Sequence, residues 1–499
     1  MDGRKSMFTL WFLLVAVLTA SAQEPLRPLC SSGRHQRKAV VAYSNTKSGS
    51  RRVSPFSGQK RQLVILAEFN DKKYQVEEPL TLWNDIFNQG KKLSKPFVGS
   101  VHDYFFDQSY GQFDLLFDLF YVPLDKPQAT YRSIGTDDSN SGILLSDVIE
   151  VVKQEITDWS VYDWNGDDYV DQVLMLFPGK GQSDGGGSNT IWPHQWSLTG
   201  MGLEPITVGD EKHHYYVDSY GVFPELSGSG DYGSFGTLCH EFGHCLGLPD
   251  FYYSSSSKVV GAWDIMDYGN YNQRGFCPPG YSAHERMLLG WLDFRELTEP
   301  ATIKDMKPLS EAAEAFLIRN SAYDNEYYVV ENRQKTGWDS SLPSQGVVIF
   351  HIDYDEEVWR VGLPNTSSLK RYTIIPANNN TFYGYQSGWP YPYLENDSLT
   401  NNSEPAATLL HNNADGELLM SKPLTHIKVA DGLATFDFMG GEVSGIRDVS
   451  DNDSRNSRLQ NSYVYDMSGR IVGNDIRQLG HGVYIIRRSD GTLCKVMKK

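Results

Sequence analysis

The stretch CHEFGHCLGLPDFY, from Cys239 to Tyr252, sets two histidines four residues apart with a glutamate directly after the first. Residues at i and i+4 share a helix face, so the imidazoles of His240 and His244 can converge on one ion at about 2.0–2.1 Å from each nitrogen. On a helical wheel with Leu238 at zero, Phe235, Phe242, Cys245 and Leu246 fall between about −20° and +80°, and the histidines near 200° and 240°. The pair faces away from the apolar stripe, where a histidine satisfied inside a core would lie. Glu241, at about 300°, is offset to one side and can reach solvent held at a metal without competing as a ligand. Gly247 lets the chain leave the helix sharply, and Asp250 can then swing back as a third ligand.

Three protein ligands leave a fourth position open, which separates catalytic zinc from structural zinc. Zinc lowers the pKa of its water to about 7, so Glu241 is expected to take the proton while the hydroxide attacks a carbonyl polarised by the same ion. Glu241 then hands the proton to the leaving amine. The reaction class is hydrolysis of a peptide bond.

The elements around this helix read as mixed α/β. QLVILAEFN from Gln62 has the apolar run of a buried strand, and VHDYFFDQSYGQF that of a helix stopped at Gly111. ILLSDVIEVVKQEI places Leu145, Val148, Ile149 and Val152 on one helix face, and YVDQVLMLF returns to strand character. Just before it, DWNGDDYVD offers Asp163, Asn165, Asp167 and Asp171 with the Tyr169 carbonyl between, a candidate calcium loop. It is not an EF-hand, because Asp168 and Leu174 stand where glycine and glutamate are needed, and an Asx-rich turn before a strand is the alternative. His194 and His351, beside aromatics, read as structural, and His213 and His214 as surface residues.

The spacing HExxHxxGxxD resembles the metzincin zinc signature, with Asp250 where many members have histidine. That resemblance implies a methionine turn beneath the metal, for which GAWDIMDYGNYN supplies Met266, and matches Tyr268 to a tyrosine that assists the metal or the oxyanion. The blocks GSVHDYFFDQSYGQF, YDWNGDDYVDQV, IWPHQW, CHEFGHCLGLPDFY, WDIMDYGNYN and AHERMLLGWL, in that order, resemble the immune inhibitor A family of secreted metallopeptidases. The resemblance implies a zinc endopeptidase made as a precursor and acting on protein or peptide substrates. The tail, VYDMSGRIV followed by LGHGVYIIRRSDGTLCKVMKK, resembles the sorting domain of bacterial type IX secretion, which implies a secretion-machinery partner.

A chain of 499 residues exceeds one hydrophobic core, and a net charge of −17 excludes nucleic acid as the expected partner. Residues 1–22 read as a signal peptide, placing the bacterial protein outside the cell or on its surface, with no transmembrane segment in the mature chain. Residues 23–61 read as a pro-segment or extension, 62–291 as the metzincin-like α/β (α+β) zinc peptidase domain, and 292–440 as a β-rich domain. A polar linker (441–460) and a small β sorting-like domain (461–499) complete the chain. Cys30 is either a tail cysteine or a thiolate that occupies the metal in a latent form. Cys239 and Cys245, six apart, point away from each other and read as small buried hydrophobes. A rival assignment is an adhesion or glycan-binding protein on a catalytically silent peptidase fold, for which aromatics such as YGYQSGWPYPY speak.

Overall fold

The structure is a computed structural model describing residues 56–135, 138–232, 235–253, 259–362 and 364–441, with 447–449, 463–466, 470–473, 479–487 and 493–498 in the C-terminal segment. The expected signal peptide, most of the extension with Cys30, the serine run at 254–257 and most of the linker lie outside the described residues.

Five strands build the sheet that carries the site: β1 (Gly58–Glu68), β2 (Phe113–Pro123), β3 (Val173–Lys180), β4 (His194–Ser197) and β5 (Ser219–Leu226), in the order β2-β1-β3-β5-β4. The pairs β1/β2, β1/β3 and β3/β5 are parallel, and only the edge strand β4 runs antiparallel. Parallel strands are covered on both faces, which is why QLVILAE reads as an unbroken apolar run. Successive β1 residues serve opposite cores. Val64 and Leu66 join Trp83, Phe105 and Phe242, whereas Leu63, Ile65 and Ala67 join Leu145, Val148 and Val152.

Helices α1 (Pro79–Asn88), α2 (Val101–Gln108) and α4 (Phe235–Cys245) contribute to the first core, and α3 (Asn140–Val152) to the second. A reciprocal capping box between Ser100 and Asp103 starts α2, and Gly111, at φ +75°, follows its end as expected. The apolar face predicted for α3 is buried, but the helix ends at Val152, with tighter turns carrying the chain to Ile156. The expected single strand YVDQVLMLF is two. Tyr169–Val170 pairs in a small three-stranded sheet with Ile206–Gly209 and His214–Val217, and only Val173 onward forms β3. The interruption lies at Asp171, whose N–H bonds the Tyr162 carbonyl instead of a strand partner.

Beyond Trp291 strands dominate. The strands Tyr372–Ile374, Gly346–Asp353, Glu326–Arg333, Phe316–Arg319 and Arg295–Glu296 form a second five-stranded sheet in that order, and Ala301–Met306, Leu433–Phe438 and Leu424–Ala430 form a three-stranded one. Tyr328, Val330, Val347 and Ile349 pack toward the three-stranded sheet. The opposite face, with Tyr327, Val329, Val348 and Phe350, belongs to the same core as Phe242 and Met266. The line between 291 and 292 therefore runs through a shared core, and the second sheet is part of what supports α4. Five strands from Arg447 to Lys498 make a last small sheet, in which Val464 and Ile486 are buried. Among the described residues no helix is long and apolar enough to cross a membrane.

Candidate metal centre

The apolar stripe of α4 packs as its wheel requires: the Phe242 ring meets Phe105 at 4.9 Å, Phe117 at 6.3 Å and Trp164 at 6.5 Å between centroids. Cys239 is buried, whereas Cys245 is only half-buried, and neither is in a disulfide. The opposite face is not left to solvent, since His240 and Glu241 are 0% exposed and His244 2%. A helix buried nearly all round needs a second layer, and two turns of chain provide it.

The first is the chain leaving α4. Gly247 adopts φ +93°, its N–H bonds the His244 carbonyl at 2.8 Å, and the Leu248 N–H bonds the Gly243 carbonyl at 3.0 Å. These two bonds close a Schellman motif, in which glycine takes the left-handed position without a Cβ penalty. The buried Leu248 carbonyl then accepts from His244 Nδ1 at 2.8 Å, and two residues later Asp250 faces the helix. The second turn runs through Ile265 and Met266. Its Ile265 carbonyl accepts from His240 Nδ1 at 2.7 Å, and the Phe251 N–H bonds the Met266 carbonyl at 2.9 Å, tying the turns together.

Each imidazole is thus fixed through Nδ1, leaving Nε2 to face inward. Nε2 of His240 lies 3.3 Å from Asp250 Oδ1, and Nε2 of His244 lies 3.1 Å from the same oxygen. Ligands about 2.0–2.1 Å from a tetrahedral zinc stand roughly 3.3–3.4 Å from each other, so the donor set fits that ion. Among the described residues this is the one group of three or more His, Cys, Asp or Glu whose ligand atoms lie mutually close, all within 4.8 Å. Burial alone would lower the His240 pKa, but the carboxylates of Asp250 and Glu241 outweigh it and lift the imidazole to about 9. Burial would raise Asp250, yet the two imidazoles hold it well below the ordinary carboxylate range. The cluster calls for positive charge at one point, which a dication supplies while both imidazoles stay neutral.

Residues 56–289 match the Immune inhibitor A peptidase M6 catalytic domain. Immune inhibitor A of Bacillus thuringiensis subsp. alesti is 30% identical over 142 residues, 25% of this chain and 20% of that protein. The pre-pro-metalloprotease PrtV of Vibrio cholerae serotype O1 is 24% identical over 281 residues, 50% of this chain and 28% of PrtV. The chain therefore matches less than a third of the length of these curated relatives. Among solved structures, catalytically inactive OgpA from Akkermansia muciniphila, bound to an O-glycopeptide, shares 11% identity over 57% of this chain and 74% of its own, at a TM-score of 0.23.

Within the M6-like segment, Met266 is fully buried against α4 at Gly243. A Cβ on Gly243 would stand 2.6 Å from Met266 Sδ and 2.9 Å from Tyr281 Oη. The glycine between the two histidines is therefore the reason the turn carrying Met266 can approach the helix. Gly243→Ala is expected to destabilise the protein by about 1–3 kcal/mol through overpacking. It should also weaken zinc binding by shifting His240 from the Ile265 carbonyl, which thermal unfolding and zinc titration would measure together.

Sequence reasoning missed the two acids that pin this turn. Asp264 accepts from the Met266 N–H at 2.8 Å and from Tyr372 Oη at 2.9 Å, and burial raises it to about 6. Asp267 accepts the N–H groups of Val259, Val260 and Gly261, each at 2.8 Å, yet burial still lifts it to about 7. Two acids within the apolar run AWDIMDY were the available signal. Tyr252 was missed as well. Its ring stacks on His240 at 6.5 Å, and Tyr268 lies one ring further, 6.3 Å from Tyr252. Tyr268 is half-buried, and burial with the nearby Asp267 charge raises its phenol to about 12.

The acidic loop behaves as an Asx turn. Asp163 accepts from the N–H groups of Gly166, Asp167 and Asp168, Asp167 from Tyr169, and Asp171 from Trp164. Asn165 accepts from the Asp167 N–H at 2.9 Å. These oxygens are engaged by the loop's own backbone, and nothing in the geometry supports calcium there. His194 bonds the Trp192 carbonyl and Tyr220 Oη, His351 bonds Glu326, and His213 bonds Asp168 at the surface.

Proposed function

We propose that this chain is an exported zinc-dependent metalloendopeptidase with His240, His244 and Asp250 as metal ligands and Glu241 as the proton-transfer residue. The observation that carries the proposal is the convergence of two backbone-anchored imidazoles on one Asp250 oxygen at 3.3 and 3.1 Å. The M6 match and the metalloprotease name of one relative add support for peptide-bond hydrolysis. When bound, zinc supplies Lewis acidity and acidifies solvent at its open position.

The chain's own residues do the rest. Leu248 and Ile265 carbonyls hold both imidazoles in the tautomer that presents Nε2. Asp250 fixes the negative charge at the third position. Glu241, outside that ligand group and buried beside it, accepts a proton from solvent and returns it to the leaving amine. Tyr268 is placed by this proposal at the oxyanion, on the same aromatic row as Tyr252. The tail serves sorting by a type IX route, and calcium has no part in the proposal.

The test uses the full chain with casein as substrate. Hydrolysis is expected to disappear with a zinc chelator and to return with one equivalent of zinc. A folded, zinc-loaded chain that cleaves nothing even after removal of the expected pro-segment would sink the peptidase assignment in favour of an adhesion or glycan-binding role on a silent fold.

A further inference from the structure

The segment 378–393, NNNTFYGYQSGWPYPY, contains no charged residue, although 21% of the chain is charged. It comes from the second sheet's side of the molecule but ends up against the methionine turn. Gln386 Oε1 accepts from the Ala262 N–H at 2.8 Å, and the Tyr383 ring lies 6.4 Å from that of Tyr268. Gly261 makes the approach feasible, because a Cβ there would meet Gln386 Oε1 at 2.4 Å and Tyr383 at 3.0 Å.

The side-chain amides of Asn378, Asn380 and Gln386 bond backbone groups. Asn378 Nδ2 donates to the Tyr385 carbonyl at 2.9 Å, Asn380 Oδ1 accepts from the Phe382 N–H at 3.0 Å, and Gln386 Nε2 donates to the Tyr383 carbonyl at 2.9 Å. Trp389 Nε1 closes the turn on the Asn380 carbonyl at 2.7 Å. Two aromatic rings of the turn stand outward: Phe382 is 76% exposed and Tyr385 58%. A turn this cross-braced holds its rings in place before anything binds, so little ordering cost is left for a ligand.

The row of rings connects the turn to the metal cluster. His240 to Tyr252, Tyr252 to Tyr268 and Tyr268 to Tyr383 are 6.5, 6.3 and 6.4 Å between centroids. Tyr383 is therefore no more than about 19 Å from His240, a span that five or six extended residues cover. We infer that the Phe382–Tyr385 turn is a specificity subsite that receives a large apolar side chain of the peptide substrate within a few residues of the scissile bond. This deepens, and rests on, the peptidase assignment. A sugar is the poorer fit, since ring recognition of a glycan needs free hydrogen-bonding groups beside the aromatic face. Here Asn378 and Asn380 bond the turn's own backbone, and Gln386 bonds the Tyr383 carbonyl and the Ala262 N–H.

The experiment uses the full, zinc-loaded chain and a peptide series identical except for leucine, phenylalanine, serine or an O-glycosylated serine at each position around one cleavable bond. At one position the apolar peptides are expected to show kcat/KM about ten-fold or more above serine, in the range that apolar pocket discrimination reaches. The Phe382→Ser/Tyr385→Ser variant should reduce that preference to about two-fold, through KM, with an unchanged melting temperature. Binding of the same peptides to the Glu241→Gln chain, with and without the two turn substitutions, separates the two claims. If no peptide is cleaved after removal of the expected pro-segment, the peptidase assignment fails, while the apolar preference in binding still decides the subsite. An equal affinity for serine and apolar peptides, a preference untouched by the turn substitutions, or tighter binding of the glycosylated peptide would overturn it.

Discussion

Glu241→Gln is expected to lower kcat for a peptide substrate by about 10²–10⁴-fold, the range assigned to a positioned general acid–base, while zinc content stays at one per chain. Glutamine keeps the size and shape of the side chain, so the packing around a residue that is 0% exposed is preserved. It cannot accept a proton. Glu241 stands outside the group His240, His244 and Asp250, so its loss removes no ligand from the cluster. The contrast is Asp250→Asn, which should weaken zinc itself, because the amide takes away the charge on which both imidazoles converge. Parallel measurement of zinc content and turnover distinguishes the roles. Turnover retained by the glutamine variant would remove Glu241 from the proton transfer, and zinc lost with it would make Glu241 part of the coordination.

The parts of this centre that are legible in the sequence are those set by short spacing. The i, i+4 histidines, the Gly247 exit and the return of Asp250 all lie within eleven residues and depend on helix and cap geometry alone. Met266 followed from resemblance, and Gly243 supplies its physical reason. What the sequence conceals is contact between distant segments. A wheel shows that His240 and His244 point away from the apolar stripe, but not that the turn carrying Ile265 and the Asp250 loop close over them. Likewise YVDQVLMLF reads as one strand, because the hydrogen bond from Asp171 to Tyr162 that splits it belongs to a turn, not to a period. The fall of helical signal after Trp291 suggests a boundary, yet alternate residues of Glu326–Arg333 pack into the core that holds α4. Period-two alternation cannot announce this, since both faces of that strand are buried.

That strand carries the largest expected effect on stability. Arg333 is fully buried, donates through Nε and Nη2 to Asp339 at 2.7 and 2.6 Å, and reaches Glu331 through Nη1 at 3.0 Å. Its remaining contact, Nη2 to the Gly280 carbonyl at 3.0 Å, anchors the segment leading to α5 (Ala283–Leu288). Asp339 holds the same segment through the Gly280 N–H, and Glu331 accepts the Ala283 N–H. Burial pushes the Glu331 carboxyl up and the adjacent guanidinium pulls against it, so removing the arginine leaves two buried acids with less to balance them. Arg333→Met is therefore expected to cost about 3–5 kcal/mol, read from the midpoint of urea unfolding. The double variant Arg333→Met/Asp339→Leu should lose less than the single one, because it removes one of the stranded charges along with its partner. A single variant within about 1 kcal/mol of the parent would mean that this ion cluster does not hold the second sheet to the core that carries α4. The consequence also reaches the site, since Tyr281, next to Gly280, packs against Gly243 beneath the two histidines. Zinc affinity should accordingly fall in Arg333→Met and recover in part in the double variant, although neither residue lies in the metal cluster.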